Sequence, residues 1–98
     1  MIFFRRVSGD SMKPALLDGH IIFGTRGQSA QAGDIVVVAR DGKELIKRVI
    51  WIEKDRAWVE GDNVSSSTDS RHFGWIAKSD ILGTMKYTLP FAQDPPKL

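Results

Sequence analysis

Residues 34–42 constrain this chain more than any other stretch. Asp34-Ile35-Val36-Val37-Val38-Ala39-Arg40 is short and β-branched, and Asp41-Gly42 follows at once. β-Branched side chains lose rotamer freedom in a helix and pack well on a pleated surface, so the run reads as a strand. Asp-Gly is the strongest short-range signal for a hairpin, because a tight two-residue turn needs positive φ. The chain must therefore return as a second strand, and residues 44–53 supply it.

The rest of the chain has the same grain. Residues 2–7, 20–25, 56–61, 75–77 and 80–88 read as further strands, with Lys54-Asp55 as another turn. Residues 61–74 are rich in Ser, Asp and Gly and read as loop. Residues 89–98, with Pro90 and Pro95-Pro96, read as a loose tail. Short strands with frequent turns predict one all-β domain over residues 1–98, a barrel or sandwich-like arrangement with one short helical turn.

That helical turn is expected at Ser8-Gly9-Asp10-Ser11-Met12-Lys13-Pro14-Ala15-Leu16-Leu17-Asp18-Gly19. Gly9 and Asp10 are turn residues, Ser11 is a good N-cap, and Pro14 falls within the first turn. Two readings of Ser11 stand side by side. Its hydroxyl is a helix cap, or it lies beside free backbone N–H groups where an oxyanion can be held.

Lys47 also has two readings. The return strand reads Glu44-Leu45-Ile46-Lys47-Arg48-Val49-Ile50-Trp51-Ile52, apolar except for two cations near its centre. Alternation puts Lys47 on one face with Leu45 and Val49, and Arg48 on the other with Ile46 and Ile50. If Leu45 and Val49 face the core, the Lys47 amine is desolvated and its pKa falls toward what a general base needs near neutral pH. If the strand is an edge, its stem reaches out to water.

Composition removes several classes of function. With no cysteine there is no disulfide, thiol nucleophile or thiolate metal site. A formal charge of +2 is too small to call for nucleic acid. Trp51, Trp58 and Trp75 are not interleaved with a basic stripe, as a base-stacking platform would require. His20 and His72 have no Asp or Glu at ligand spacing, so neither a metal nor another cofactor is expected. No apolar run approaches the roughly 18–20 residues that cross a bilayer, and residues 1–4 are too short for a signal-peptide core. The expectation is a soluble, cytoplasmic chain, or a membrane-associated one if an anchor lies outside the sequence given. Ile2, Phe3 and Phe4 allow a contact with a membrane surface, against a first strand with one buried face.

Four blocks carry a resemblance: residues 8–16, Gly33-Asp34-Ile35-Val36-Val37, Ile46-Lys47-Arg48-Val49, and Gly61-Asp62-Asn63 through Thr68-Asp69-Ser70-Arg71-His72-Phe73-Gly74. In this order they resemble the conserved blocks of the type I signal peptidase family of serine endopeptidases, over roughly residues 5–88. The resemblance implies the coiled antiparallel sheets of the signal peptidase and LexA-like catalytic domain. It implies Ser11 as nucleophile, Lys47 as general base, and hydrolysis after small residues in an Ala-x-Ala-like pattern. Ser67 matches a serine that orients the lysine. Asp62, Asp69 and Arg71, with Arg48, are implied as ion pairs pinning the loop, the Asp69–Arg71 pair as a partly exposed scaffold.

Membrane signal peptidases usually carry a serine where this chain has Gly9. Ser8 lies one residue back and Asp10 precedes the nucleophile, so Ser8, Asp10 and Ser67 are the candidate orienting groups. Gly-Asp-Ser-Met is the form seen in LexA-type self-cleaving repressors. The lack of an anchor and of a large insertion resembles small soluble relatives such as nickel superoxide dismutase maturation proteases. The implied partner is a protein or peptide bound as an added strand, near residues 2–8 or along the strand after Asp34. A peptide-binding module without catalysis and a self-cleaving domain are the alternatives.

Overall fold

The computed structural model describes residues 1–27 and 29–89. The expected tail beyond Leu89 lies outside them. The strands are β1 (Ile2–Arg6), β2 (Ile21–Arg26), β3 (Ile35–Arg40), β4 (Lys43–Glu53), β5 (Arg56–Glu60), β6 (Ile76–Ala77) and β7 (Ile81–Leu89). They form one antiparallel sheet in the order β1-β2-β7-β3-β4-β5-β6. The domain is all-β, as the turn-punctuated sequence predicts.

The β3–β4 hairpin forms as its sequence requires. Arg40 pairs with Lys43, and both turn residues have positive φ, 50° at Asp41 and 77° at Gly42. β3 is buried on both faces, and its alternate side chains enter two separate cores. Val36 and Val38 pack with Val49, Val59, Ile76 and Ile81 on one side. Ile35 and Val37 pack with Phe3, Met12, Leu16 and Ile22 on the other. Each such aliphatic side chain contributes roughly 1.5–3 kcal/mol on burial. β3 is therefore the spine of the sheet and has no open edge, so the expectation of an added strand beside it fails.

Two free edges remain where they matter. β1 pairs only with β2, and β4 over Lys43–Lys47 pairs with β3 alone, because β5 joins it only from Arg48 onward. Arg5 on β1 and Glu44 on β4 form a bidentate ion pair between these edges. β1 itself is two-faced: Phe3 is buried, whereas Ile2 and Phe4 are exposed. The Phe4 ring lies 6.2 Å from Phe23, and Phe23 lies 5.5 Å from Tyr87.

Two local expectations are corrected. Residues 9–19 form hydrogen-bonded turns and not a helix. Leu16 N–H reaches the Met12 carbonyl and Lys13 N–H the Asp10 carbonyl, but Pro14 has no N–H to continue the ladder and disfavours helical backbone at Lys13. The helix lies instead within the segment read as loop, as α1 (Ser70–Phe73), preceded by a 3-10 turn at Val64–Ser66. Asp69 caps α1 and His72 closes a reciprocal capping box. Among the described residues no helix is long and apolar enough to cross a membrane.

Candidate active site

Lys47 occupies the middle of β4 opposite Val36, on the sheet face that carries Val38 and Val49. Its placement follows from the period of two in a strand whose Leu45 and Val49 point inward. The side chain is 4 % exposed. Burial lowers the pKa of its amine, since a dry environment disfavours the ammonium. The charge of Asp69 opposes that shift and the charge of Arg71 adds to it.

Among the described residues the amine has one side-chain hydrogen-bond partner. Lys47 Nζ donates to Ser67 Oγ at 2.8 Å, and Ser67 Oγ donates to Asp69 Oδ2 at 2.6 Å. The hydroxyl proton is thus committed to the carboxylate, so the serine oxygen can only accept from the lysine. Asp69 is fully buried, whereas the side chain of its partner Arg71 is 29% exposed, so the pair is partly exposed on the arginine side alone. Burial alone would raise its pKa, but hydrogen bonds from Arg71, Ser67 and the backbone N–H groups of Gly61 and Arg71 hold it well below the usual carboxylate range. Arg71 Nη2 lies 2.6 Å from Asp69 Oδ2 and also donates to the Gly61 carbonyl.

Ser11 reaches the same place from the turn after β1. Val7, Ser8, Ser11, Leu45, Ile46 and Lys47 line one cleft of about 120 Å³ between the free edges of β1 and β4. Among the described residues the Ser11 hydroxyl makes no capping hydrogen bond and none to Lys47, and Ser11 lines the cleft. The turn is held from behind by Asn63, whose backbone N–H donates to the Ser11 carbonyl at 2.8 Å and whose Nδ2 donates to the Asp10 carbonyl at 3.0 Å. Gly61 allows this approach. A Cβ there would run into Ser67 Oγ and the Ser11 carbonyl oxygen.

The other implied residues separate clearly. Arg48 grips Asp62 with two hydrogen bonds, 2.9 and 2.8 Å, and donates to the Gly33 carbonyl, tying the 61–63 segment to the turn before β3. Ser8 lines the cleft. The Asp10 carboxylate turns away to Lys13 Nζ at 3.3 Å. Asn63 and the buried Ser70, whose Oγ accepts from Val59 N–H, carry no chemical signature in the sequence and were not expected. Their partners are backbone groups, which no side-chain pattern announces. Among the described residues no group of three His, Cys, Asp or Glu could hold a metal.

The Peptidase S24-like family model matches residues 1–85. The chain belongs to the Peptidase S24-like family. It is 44% identical over 39 residues to mitochondrial inner membrane protease subunit 1 of Xenopus tropicalis, covering 40% of this chain and 23% of that protein. It is 35% identical over 65 residues to the LexA repressor of Bacillus mycoides (strain KBAB4), covering 65% of this chain and 32% of the repressor. These matches thus span between a fifth and a third of the curated relatives. The Peptidase S24-like match, with these relatives, bears out the signal peptidase and LexA-like resemblance as a family.

Proposed function

We propose that this chain is a serine endopeptidase domain in which Ser11 is the nucleophile and Lys47 the general base. The observation that carries the reading is a lysine withdrawn from water that lines the same cleft as Ser11. A neutral amine has two protons and one lone pair. Donation to Ser67 fixes the amine, and the lone pair then accepts the Ser11 proton.

The steps balance. Ser11 Oγ, as its proton passes to Lys47 Nζ, attacks the scissile carbonyl carbon, and the oxyanion is held by backbone N–H groups of the Ser11 turn. The C–N bond breaks as Nζ returns the proton to the leaving nitrogen. Nζ then takes a proton from water as the water oxygen attacks the ester carbon, and the ester C–O bond breaks as Nζ hands that proton to Ser11 Oγ. The substrate is an extended polypeptide laid between the free edges of β1 and β4. The cleft holds roughly four water volumes at ~30 Å³ each, which suits a small side chain before the scissile bond.

The test is digestion of a proteome-derived peptide library, with both new ends read by mass spectrometry. Cleavage after small residues is expected, with a rate that rises with pH through the lowered pKa of Lys47. Ser11→Ala and Lys47→Ala should each abolish it and keep the fold. No cleavage by the unaltered chain at any pH from 6 to 10 would sink the reading. A second reading, self-cleavage, is supported by the longer reach of the LexA match. Intact mass after incubation at high pH separates the two.

A further inference from the structure

Beside the catalytic cleft lies a larger hollow that the chemistry above does not use. It has a volume of about 420 Å³ and is lined by Arg40, Asp41, Lys43, Leu45, Thr68 and Phe73. It borders on the cleft. Leu45 lines both, and Thr68 follows Ser67, the serine that holds Lys47. We propose that this hollow is a specificity subsite taking an acidic side chain of the extended substrate, two to four residues from the scissile bond. The proposal rests on the peptidase reading.

Arg40 lies over the Phe73 ring, its guanidinium carbon 3.9 Å from the centroid, and its Nε is 3.9 Å from Asp41 Oδ2. The one lining carboxylate therefore stands beside one of the two cations. Lys43 is exposed and makes no ion pair among the described residues. It is the charge left for a ligand. The floor, Leu45 and Phe73, is apolar and accepts the methylene stem of a glutamate.

The distance argument is independent. Lys43, Leu45 and Lys47 share one face of β4 over its unpaired stretch. At about 3.3 Å per residue, Leu45 lies roughly 7 Å and Lys43 roughly 13 Å from Lys47 along the strand. A polypeptide running beside this edge, with its scissile bond at Lys47, brings its second to fourth residues to the hollow. Strand alternation turns every other one of them toward it.

The test reuses the library digestion with the full chain and Lys43→Glu. For the unaltered chain, Glu and Asp should be enriched over Lys about two- to fivefold at one position two to four residues from the cut, the effect expected of a solvent-exposed ion pair. Lys43→Glu should invert the preference at that position and leave the small-residue preference before the cut unchanged. Both effects should fade at about 1 M salt, where charges are screened beyond a few ångströms. Cleavage with no acidic enrichment, or enrichment that survives Lys43→Glu, would overturn the subsite and leave the peptidase reading standing. Absence of any cleavage would overturn both.

Discussion

Lys47 and Arg48 are neighbours on β4 that point to opposite faces, and the contrast between their surroundings explains the site. Arg48 meets Asp62 directly, in a bidentate pair whose side chains are 31% and 21% exposed. That hydrogen bond raises the arginine pKa and fixes its charge, so the pair acts as a clamp. Lys47 does not meet a carboxylate directly. A serine hydroxyl stands between it and Asp69, and Asp69 is already bonded to Arg71. A direct carboxylate contact would hold the amine charged. With the hydroxyl interposed and the carboxylate already paired, burial decides the outcome and the amine pKa falls. Similar residue types thus give a fixed cation on one face and a buried amine of lowered pKa on the other.

The largest way to break this contrast is Asp69→Ala. The change leaves the buried Gly61 N–H and the Ser67 hydroxyl without their acceptor, and Arg71 with only the Gly61 carbonyl and the more distant Glu60 among its partners in the described residues. Urea denaturation should read a loss of about 3–5 kcal/mol. A loss under 1 kcal/mol would mean that the network is not the structural centre of the 61–73 segment. Arg71→Met acts next. Arg71 is partly exposed, so its loss should cost less, about 1–3 kcal/mol. Its effect on pH is sharper. Removing a cation that lowers the Lys47 pKa must raise that pKa, so the rising limb of the cleavage profile should move to higher pH. Asp69 loses the bond that depresses it. In the unaltered chain the stability from Asp69 is complete above its unfolded value near 4 and is lost as pH falls toward the lower folded value. In Arg71→Met the folded value lies closer to the unfolded one, so that acid loss should be smaller and should finish at higher pH.

Much of the fold was legible because it rests on local rules. The run from Ile35 to Ala39 has only one comfortable backbone, and Asp41-Gly42 only one turn. Strand alternation alone put Lys47 among Leu45 and Val49. The segment around Ser11 misled for a reason of the same kind. Ser11 and Asp18-Gly19 look like helix ends, but Pro14 interrupts the ladder between them. The 61–73 segment misled because Asp, Ser and Asn signal loop on average, whereas here Asp69 spends its side chain capping α1 while binding Ser67 and Gly61. The contact between Lys47 and Ser67, twenty residues apart, was reached only through resemblance. Spacing along a chain does not encode which loop folds back on which strand.

The smallest predicted effect sharpens the comparison most. Asp62→Asn keeps the shape of the clamp and removes its charge. Arg48 still donates to the Gly33 carbonyl and can still donate to the amide oxygen, so the cost should be about 0.5–1 kcal/mol by urea denaturation. Asp62 is not among the charges that move the Lys47 pKa, so the pH at half-maximal cleavage should stay where it is. Asp62 and Asp69 lie on one short segment, and a general loosening of that segment would shift both profiles alike. If Arg71→Met moves the pH midpoint and Asp62→Asn does not, the two faces of β4 are separate devices. If Asp62→Asn moves it by as much, the clamp and the base are one electrostatic unit, and the contrast drawn between them fails.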